Sequence, residues 1–167
     1  MNLTLSQLES FVATLDAGSF SAAADQLGIS ARVEWRGPMT QTELLAEYRA
    51  ADIFALASRV ADDGDRDGLP NVLMEAQTQG LPCVATDVSA IHELIEPDVT
   101  GLLVAPESAG ALAAALESLI TDPLRRRALG EAGRSRVTQE FGMNMNIQRL
   151  AEKFGLAPGA EAGLAKR

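Results

Sequence analysis

Three short apolar runs constrain this chain more than any other feature. They are Ile53-Phe54-Ala55-Leu56-Ala57, Cys83-Val84-Ala85-Thr86 and Leu102-Leu103-Val104. Each is too short for a stable helix and almost wholly apolar, the pattern of a strand buried on both faces. Helical patterns separate them. Thr40 or Thr42 caps a helix carrying Leu44, Leu45 and Tyr48, and another runs from about Pro70 to Gln79, with Gly80 just past its end. A short helix is expected at Ile91–Ile95, followed by Ala-rich helices over 108–120 and 123–132 and a last one over 144–154. Strands alternating with helices give an α/β fold with a parallel sheet. Val33–Arg36, ended by Gly37-Pro38, is a further strand candidate, which brings the sheet to about four strands with flanking helices.

Ligands on such sheets bind beyond the carboxyl ends of the strands. The polar, acidic loop over 58–70 leaves the run at 53–57 at such an end and leads into the helix that starts near Pro70. That helix offers free backbone N–H groups and the positive end of its dipole, where a phosphate is well placed. Gly68 allows close backbone approach. Asn71 and Glu75 are four residues apart and share one helix face, about 6 Å along the axis. A carboxylate at Glu75 has the acceptors for two hydroxyls, as of a ribose, and Asp67 has them for a sugar.

The remaining composition narrows the classes of function. The 47% hydrophobic content of 167 residues supports one core, or one domain with an appendage. With 14 Lys and Arg against 23 Asp and Glu, the net charge of -9 disfavours nucleic acid as a partner. The single Cys83 excludes an internal disulfide and fits a reducing, cytoplasmic compartment. No leader peptide or membrane span is expected from the sequence.

Residues 1–30 have a different character. Leu5, Leu8, Phe11, Val12 and Leu15 mark one helical face, Gly18 breaks it, and a second helix carries Phe20, Ala23, Ala24 and Leu27 up to Gly28. The stretch LSQLESFVATLDAGSFSAAADQLGIS resembles the start of a LysR-type helix-turn-helix regulator. It stops at Ser30, where the resemblance places the start of the recognition helix, and none of the first 31 residues is Lys or Arg. A truncated helical hairpin over 1–31 is therefore expected rather than a DNA reader.

From about Val33 to Phe154 the chain resembles the donor-binding, C-terminal half of retaining group 1 glycosyltransferases of the GT-B fold. The pieces that carry the resemblance are VEWRGPMTQTELLAEYRAADIFALAS, GLPCVATDVSAIHELI and TGLLVAPE, together with an acid, seven residues and a Glu, here Asp67 and Glu75. The resemblance implies transfer of a sugar from a UDP- or GDP-type nucleotide sugar to a glycan or lipid acceptor, with retained configuration and no metal cofactor. It gives Asp67 and Glu75 the catalytic positions. Glu75 binds the ribose, Asp67 meets the transferred sugar, and the backbone from Gly68 through Leu69, Pro70 and Asn71 to Val72 faces sugar and diphosphate. Several departures stand out. Asp67 is one methylene shorter than the family's usual Glu, Ser89-Ala90 replaces a common Gly-Gly, and His92 replaces a common Pro. The family's acceptor domain has no counterpart here. Nor do its first two donor-domain strand–helix units, which carry a diphosphate-binding Gly-Arg and Lys. The expected architecture is thus a helical hairpin (1–31), an incomplete Rossmann-like donor domain (32–154) and a disordered tail (155–167), in a chimeric chain. Such a unit is expected to be inactive or weakly binding alone. The missing strands are central ones, so self-association through an open sheet edge is expected. The alternatives are a recombination product or engineered chimera without function, and a fragment of a transcriptional regulator.

Other motifs have plainer readings. Asp63-x-Asp65-x-Asp67-Gly68 matches the opening of a calcium loop, yet its twelfth position is Met74 and Glu75 falls one residue late, so a solvated acidic turn is expected. His92 has no second histidine or cysteine pair with which to build a zinc site. Cys83 reads as core, Trp35 as packing, and Arg125-Arg126-Arg127 as a solvated face.

Overall fold

The computed structural model describes residues 30–32, 34, 36–66 and 68–154. The hairpin expected before Ser30, Asp67, Trp35 and the tail after Phe154 lie outside the described residues. After a single 3-10 turn at Ser30–Arg32, the elements follow in the order α1 (Gln41–Ala50), β1 (Phe54–Leu56), α2 (Asn71–Thr78), β2 (Cys83–Thr86), α3 (Ile91–Leu94), β3 (Leu102–Val104), α4 (Ala109–Thr121), α5 (Pro123–Glu140) and α6 (Met143–Lys153).

The three strands form one parallel sheet in the order β1-β2-β3. Phe54, Ala55 and Leu56 stand opposite Cys83, Val84 and Ala85, and Val84, Ala85 and Thr86 opposite Leu102, Leu103 and Val104. β2 is buried at all four positions, as a central strand covered on both faces must be. Its side chains alternate between two cores. Cys83 and Ala85 enter a cluster with Tyr48 of α1, Leu73 and Ala76 of α2, Ile91 and Leu94 of α3, and Val137 of α5. Val84 enters a second cluster with Leu102, Leu112 and Leu119 of α4, and Leu129 of α5.

Three of the four expected strands are formed. At the fourth, Glu34 and Arg36 belong to no strand, and Val33 lies outside the described residues. Arg36 instead bridges Glu34 (3.0 Å) and Glu47 of α1 (3.1 Å). β1 therefore has no strand neighbour on its outer side among the described residues.

The helices match their expected positions to within a residue or two, with one exception. α5 does not end near Ala132 but continues to Glu140. Gly130, inside the expected helix, and Gly133, just past its expected end, act as contact points. A Cβ at Gly130 would stand 2.1 Å from the Gly80 carbonyl oxygen, and one at Gly133 would stand 2.9 Å from Gln77 Nε2 and 3.0 Å from the Thr100 carbonyl oxygen. The two glycines let α5 pass close over the C-terminal end of α2. No helix among the described residues is long and apolar enough to cross a membrane.

Candidate functional site

The segment that joins β1 to α2 determines where the candidate residues stand. Ala61 and Asp65 close a small turn, with Asp65 N–H donating to Asp63 Oδ1 (3.0 Å) and Arg66 N–H to Asp65 Oδ1 (3.0 Å). These carboxylates are occupied by backbone N–H groups rather than converging on a point. No cluster of metal-ligating side chains exists among the described residues. Leu69 then anchors the loop against the first core cluster, while Gly68 is exposed with open space where a Cβ would lie.

α2 starts at Asn71 with Pro70 in the N-cap position (φ -65°, ψ 124°) and no side chain bonded to its first amides. Side chains do cap α1, α4 and α5, from Thr40, Ser108 and Asp122. Among the described residues no side chain caps the start of α2, and Pro70 has no N–H of its own to offer.

Asn71 and Glu75 line one open groove of about 440 Å³, together with Met74 and Thr78 of α2, Val137 and Thr138 of α5, and Phe141 and Gly142 of the α5–α6 junction. The i, i+4 spacing brings the two polar residues together as expected. Glu75 is half-buried, and its Oε2 accepts a long hydrogen bond from Tyr48 Oη (3.5 Å). Tyr48 packs edge-on against Phe54 of β1 at 5.7 Å between ring centroids. Burial raises the phenol's pKa, and the neighbouring Glu75 carboxylate adds to the rise, so Tyr48 stays a neutral donor. The sequence reading gave Tyr48 only an apolar role, because a tyrosine on an apolar stripe does not show where its hydroxyl ends. The α5 wall of the groove was also missed, since the helix was expected to stop before Val137.

The remaining candidates are dispersed. His92 is exposed and lies 3.2 Å from Asp87. Cys83 is fully buried, and burial pushes its thiol up to about 12, so it is an inert core residue. Two of the three arginines expected on a solvated face are paired. Arg125 meets Asp98 at 2.6 Å, and Arg126 meets Asp52 at 3.0 Å and the Leu119 carbonyl at 3.2 Å. Ser89, one of the departures noted above, has φ +53°, in the left-handed region that glycine adopts most easily.

The model of the family described as Glycosyl transferases group 1 matches residues 16–136, well over half of the chain. The chain belongs to the group 1 glycosyltransferases. The match begins inside the stretch that resembles LysR-type regulators, earlier than the expected start near Val33. Among curated relatives, the chain is 41% identical over 112 residues to the amylovoran biosynthesis glycosyltransferase AmsK of Erwinia amylovora, covering 67% of this chain and 28% of that protein. It is 35% identical over 123 residues to a GDP-mannose-dependent monoacylated alpha-(1-6)-phosphatidylinositol monomannoside mannosyltransferase of Corynebacterium glutamicum, covering 73% and 32%. The chain thus spans about a third of the length of these relatives. Two solved structures share its fold. Anabaena Alr3699/HepE in complex with UDP superposes with a TM-score of 0.73 at 21% identity, covering 91% of this chain and 45% of that one. The C-terminal domain of the Francisella tularensis group 1 protein LpcC superposes with a TM-score of 0.68 at 22% identity, covering 86% and 83%.

Proposed function

We propose that this chain forms the donor half-site for retaining transfer of a hexosyl group from a nucleotide sugar. The observation that carries the reading is Glu75, held at one oxygen by Tyr48 and opening with Asn71 onto a groove beside an uncapped helix start. In this reading Glu75 accepts the ribose hydroxyls. The backbone from Gly68 through Leu69, Pro70 and Asn71 to Val72 meets the diphosphate and sugar, and Asp67 contacts the transferred sugar. Some relatives are GDP-mannose-dependent by name, and HepE was solved with UDP and with UDP-glucose, which supports a donor of the UDP or GDP type. No metal is required, so EDTA leaves binding unchanged. Binding is weak, because the helix start alone carries no full charge to balance a diphosphate.

The test is an amide NMR titration of the 167-residue chain with UDP-glucose and GDP-mannose, beside Glu75→Ala. Saturable shifts around 68–75 that vanish in the variant support the reading, and dispersed peaks that ignore both donors reject it. The second outcome would favour the alternative suggested by the LysR-like stretch at 1–30, a fusion of two family fragments without activity of its own. Binding to DNA that weakens steeply with salt would favour the regulator reading instead. We also propose that the outer edge of β1 pairs with a second copy. A monodisperse 17.6 kDa species in light scattering would reject that.

A further inference from the structure

The loop over 87–90 leaves the carboxyl end of β2, the middle strand, where a parallel sheet of this kind receives its ligand. It is fixed on both sides. Asp87 N–H donates to the Val104 carbonyl (2.8 Å), Val88 N–H to the Thr86 carbonyl (3.0 Å) and Ile91 N–H to the Val88 carbonyl (3.2 Å). Val88 and Ile91 are buried, and His92 returns to Asp87 at 3.2 Å. Inside this frame Ser89 carries two local costs at once. Its backbone has φ +53°, and its hydroxyl oxygen is sealed from solvent with no hydrogen-bond partner among the described residues.

Two other buried polar atoms share that lack of a partner, Gln77 Oε1 and Arg136 Nε. Both belong to side chains bonded elsewhere. Gln77 Nε2 donates to the Thr100 carbonyl, and the Arg136 terminal nitrogens reach Glu96 and the Glu93 carbonyl. Ser89 has one polar side-chain atom, and that atom is the orphan. A strained residue and an unmet polar group persist only where the surroundings enforce them, and they concentrate at ligand sites. The residue as a whole is only partly buried, so it lies near the surface of the loop.

We infer that Ser89 is a donor-contacting residue. Its hydroxyl, unpartnered in the free protein, bonds a sugar hydroxyl or a phosphate oxygen of the ligand held at the carboxyl end of β2. This rests on the nucleotide-sugar reading above. The family resemblance assigns no such role to a hydroxyl here, because the common residue at this position is glycine.

The test compares the 167-residue chain with Ser89→Ala and Ser89→Gly by thermal melts without ligand and by calorimetric titration with UDP-glucose, GDP-mannose, UDP and GDP. Ser89→Ala removes only the orphan hydroxyl, and Ser89→Gly relieves the backbone as well. Both variants are expected to melt higher than the parent, glycine the higher of the two. Both are expected to bind the nucleotide sugars about tenfold more weakly. Equal weakening toward UDP and GDP identifies a phosphate oxygen as the partner, and unchanged UDP and GDP binding identifies a sugar hydroxyl. Parent-like binding by Ser89→Ala overturns the inference and leaves the donor reading intact. A lower melting temperature for Ser89→Ala overturns it too, since the hydroxyl would then have a partner in the free protein. No binding by the parent chain overturns both.

Discussion

The helices α1 and α2 lie on either side of the Tyr48–Glu75 contact and are secured at opposite ends. α1 closes its own start with a capping box. Glu43 N–H reaches Thr40 Oγ1 (3.4 Å) while Glu43 Oε2 accepts from Thr40 N–H (2.8 Å) and Thr40 Oγ1 (2.7 Å). α2 leaves its start without a side-chain cap and is fixed at its end. There Gly80 takes φ +79° past the last turn, buried Gln77 donates to Thr100, and Gly130 and Gly133 of α5 pack against it. An open start is shared by α3 and α6, whose N-cap residues Ala90 and Gly142 give no side-chain bond. What sets α2 apart is the anchoring of its distant end by Gln77 and by the close approach of Gly130 and Gly133.

The sharpest way to break this contrast is to remove the distant anchor. Gly130→Ala places a Cβ 2.1 Å from the Gly80 carbonyl oxygen, a backbone atom that no rotamer change can move. We expect a loss of about 3 kcal/mol, read as a lower denaturation midpoint. A variant as stable as the parent would mean that α2 is not held from α5.

Closing the open start comes next. Pro70 already has the extended backbone of an N-cap residue, so Pro70→Asp can bond the first amides of α2 without rearrangement. The variant is expected to be at least as stable as the parent. A carboxylate there competes with a diphosphate for the same N–H groups and repels it, so donor binding should fall by about tenfold or more in titration calorimetry. Unchanged binding would show that the start of α2 does not hold the donor. Thr40→Ala is the mirror experiment. It should cost about 1 kcal/mol of stability and leave the donor affinity of the folded protein as it was.

How much of this was legible in the sequence depends on how local each signal is. A helix cap at Thr40 or Thr42, the strands at 83–86 and 102–104 and the turn at Gly80 follow from residues within a few positions of one another, and the structure chooses Thr40, with Glu43 completing the box. The shared face of Asn71 and Glu75 follows from helical spacing alone. What escaped was long-range. Gly133 follows the expected end of its helix, and only the approach of Gly80 and Gln77, fifty or more positions earlier, makes it and Gly130 packing sites. The Tyr48 hydroxyl likewise found Glu75 across 27 positions, a pairing that periodicity does not encode. At the strand candidate over 33–36, the described residues Glu34 and Arg36 belong to no strand, for a related reason. Its pattern is local, whereas a strand needs a neighbour, and Arg36 engages Glu47 instead.

The smallest expected effect concerns the cap itself and carries a definite sign. Glu43 has its pKa lowered below 4.5, first by the hydrogen bond from the Thr40 backbone N–H and then by that from the Thr40 hydroxyl, both of which favour the carboxylate. A group whose pKa is depressed on folding stabilises the fold above its unfolded value and loses that contribution as pH falls through the folded value. The parent should therefore melt slightly above Glu43→Gln near neutrality, and the gap should close as the pH is taken down through 4.5 and below. Nothing comparable should occur at α2, which has no acid in its first turn. Donor binding by Glu43→Gln at neutral pH should match the parent, because the cap of α1 stabilises its own helix and faces no ligand. A gap in melting temperature that persists unchanged into acid would mean that Glu43 acts through its side-chain packing rather than its charge. The cap would then not be the device that lets α1 stand on its own start.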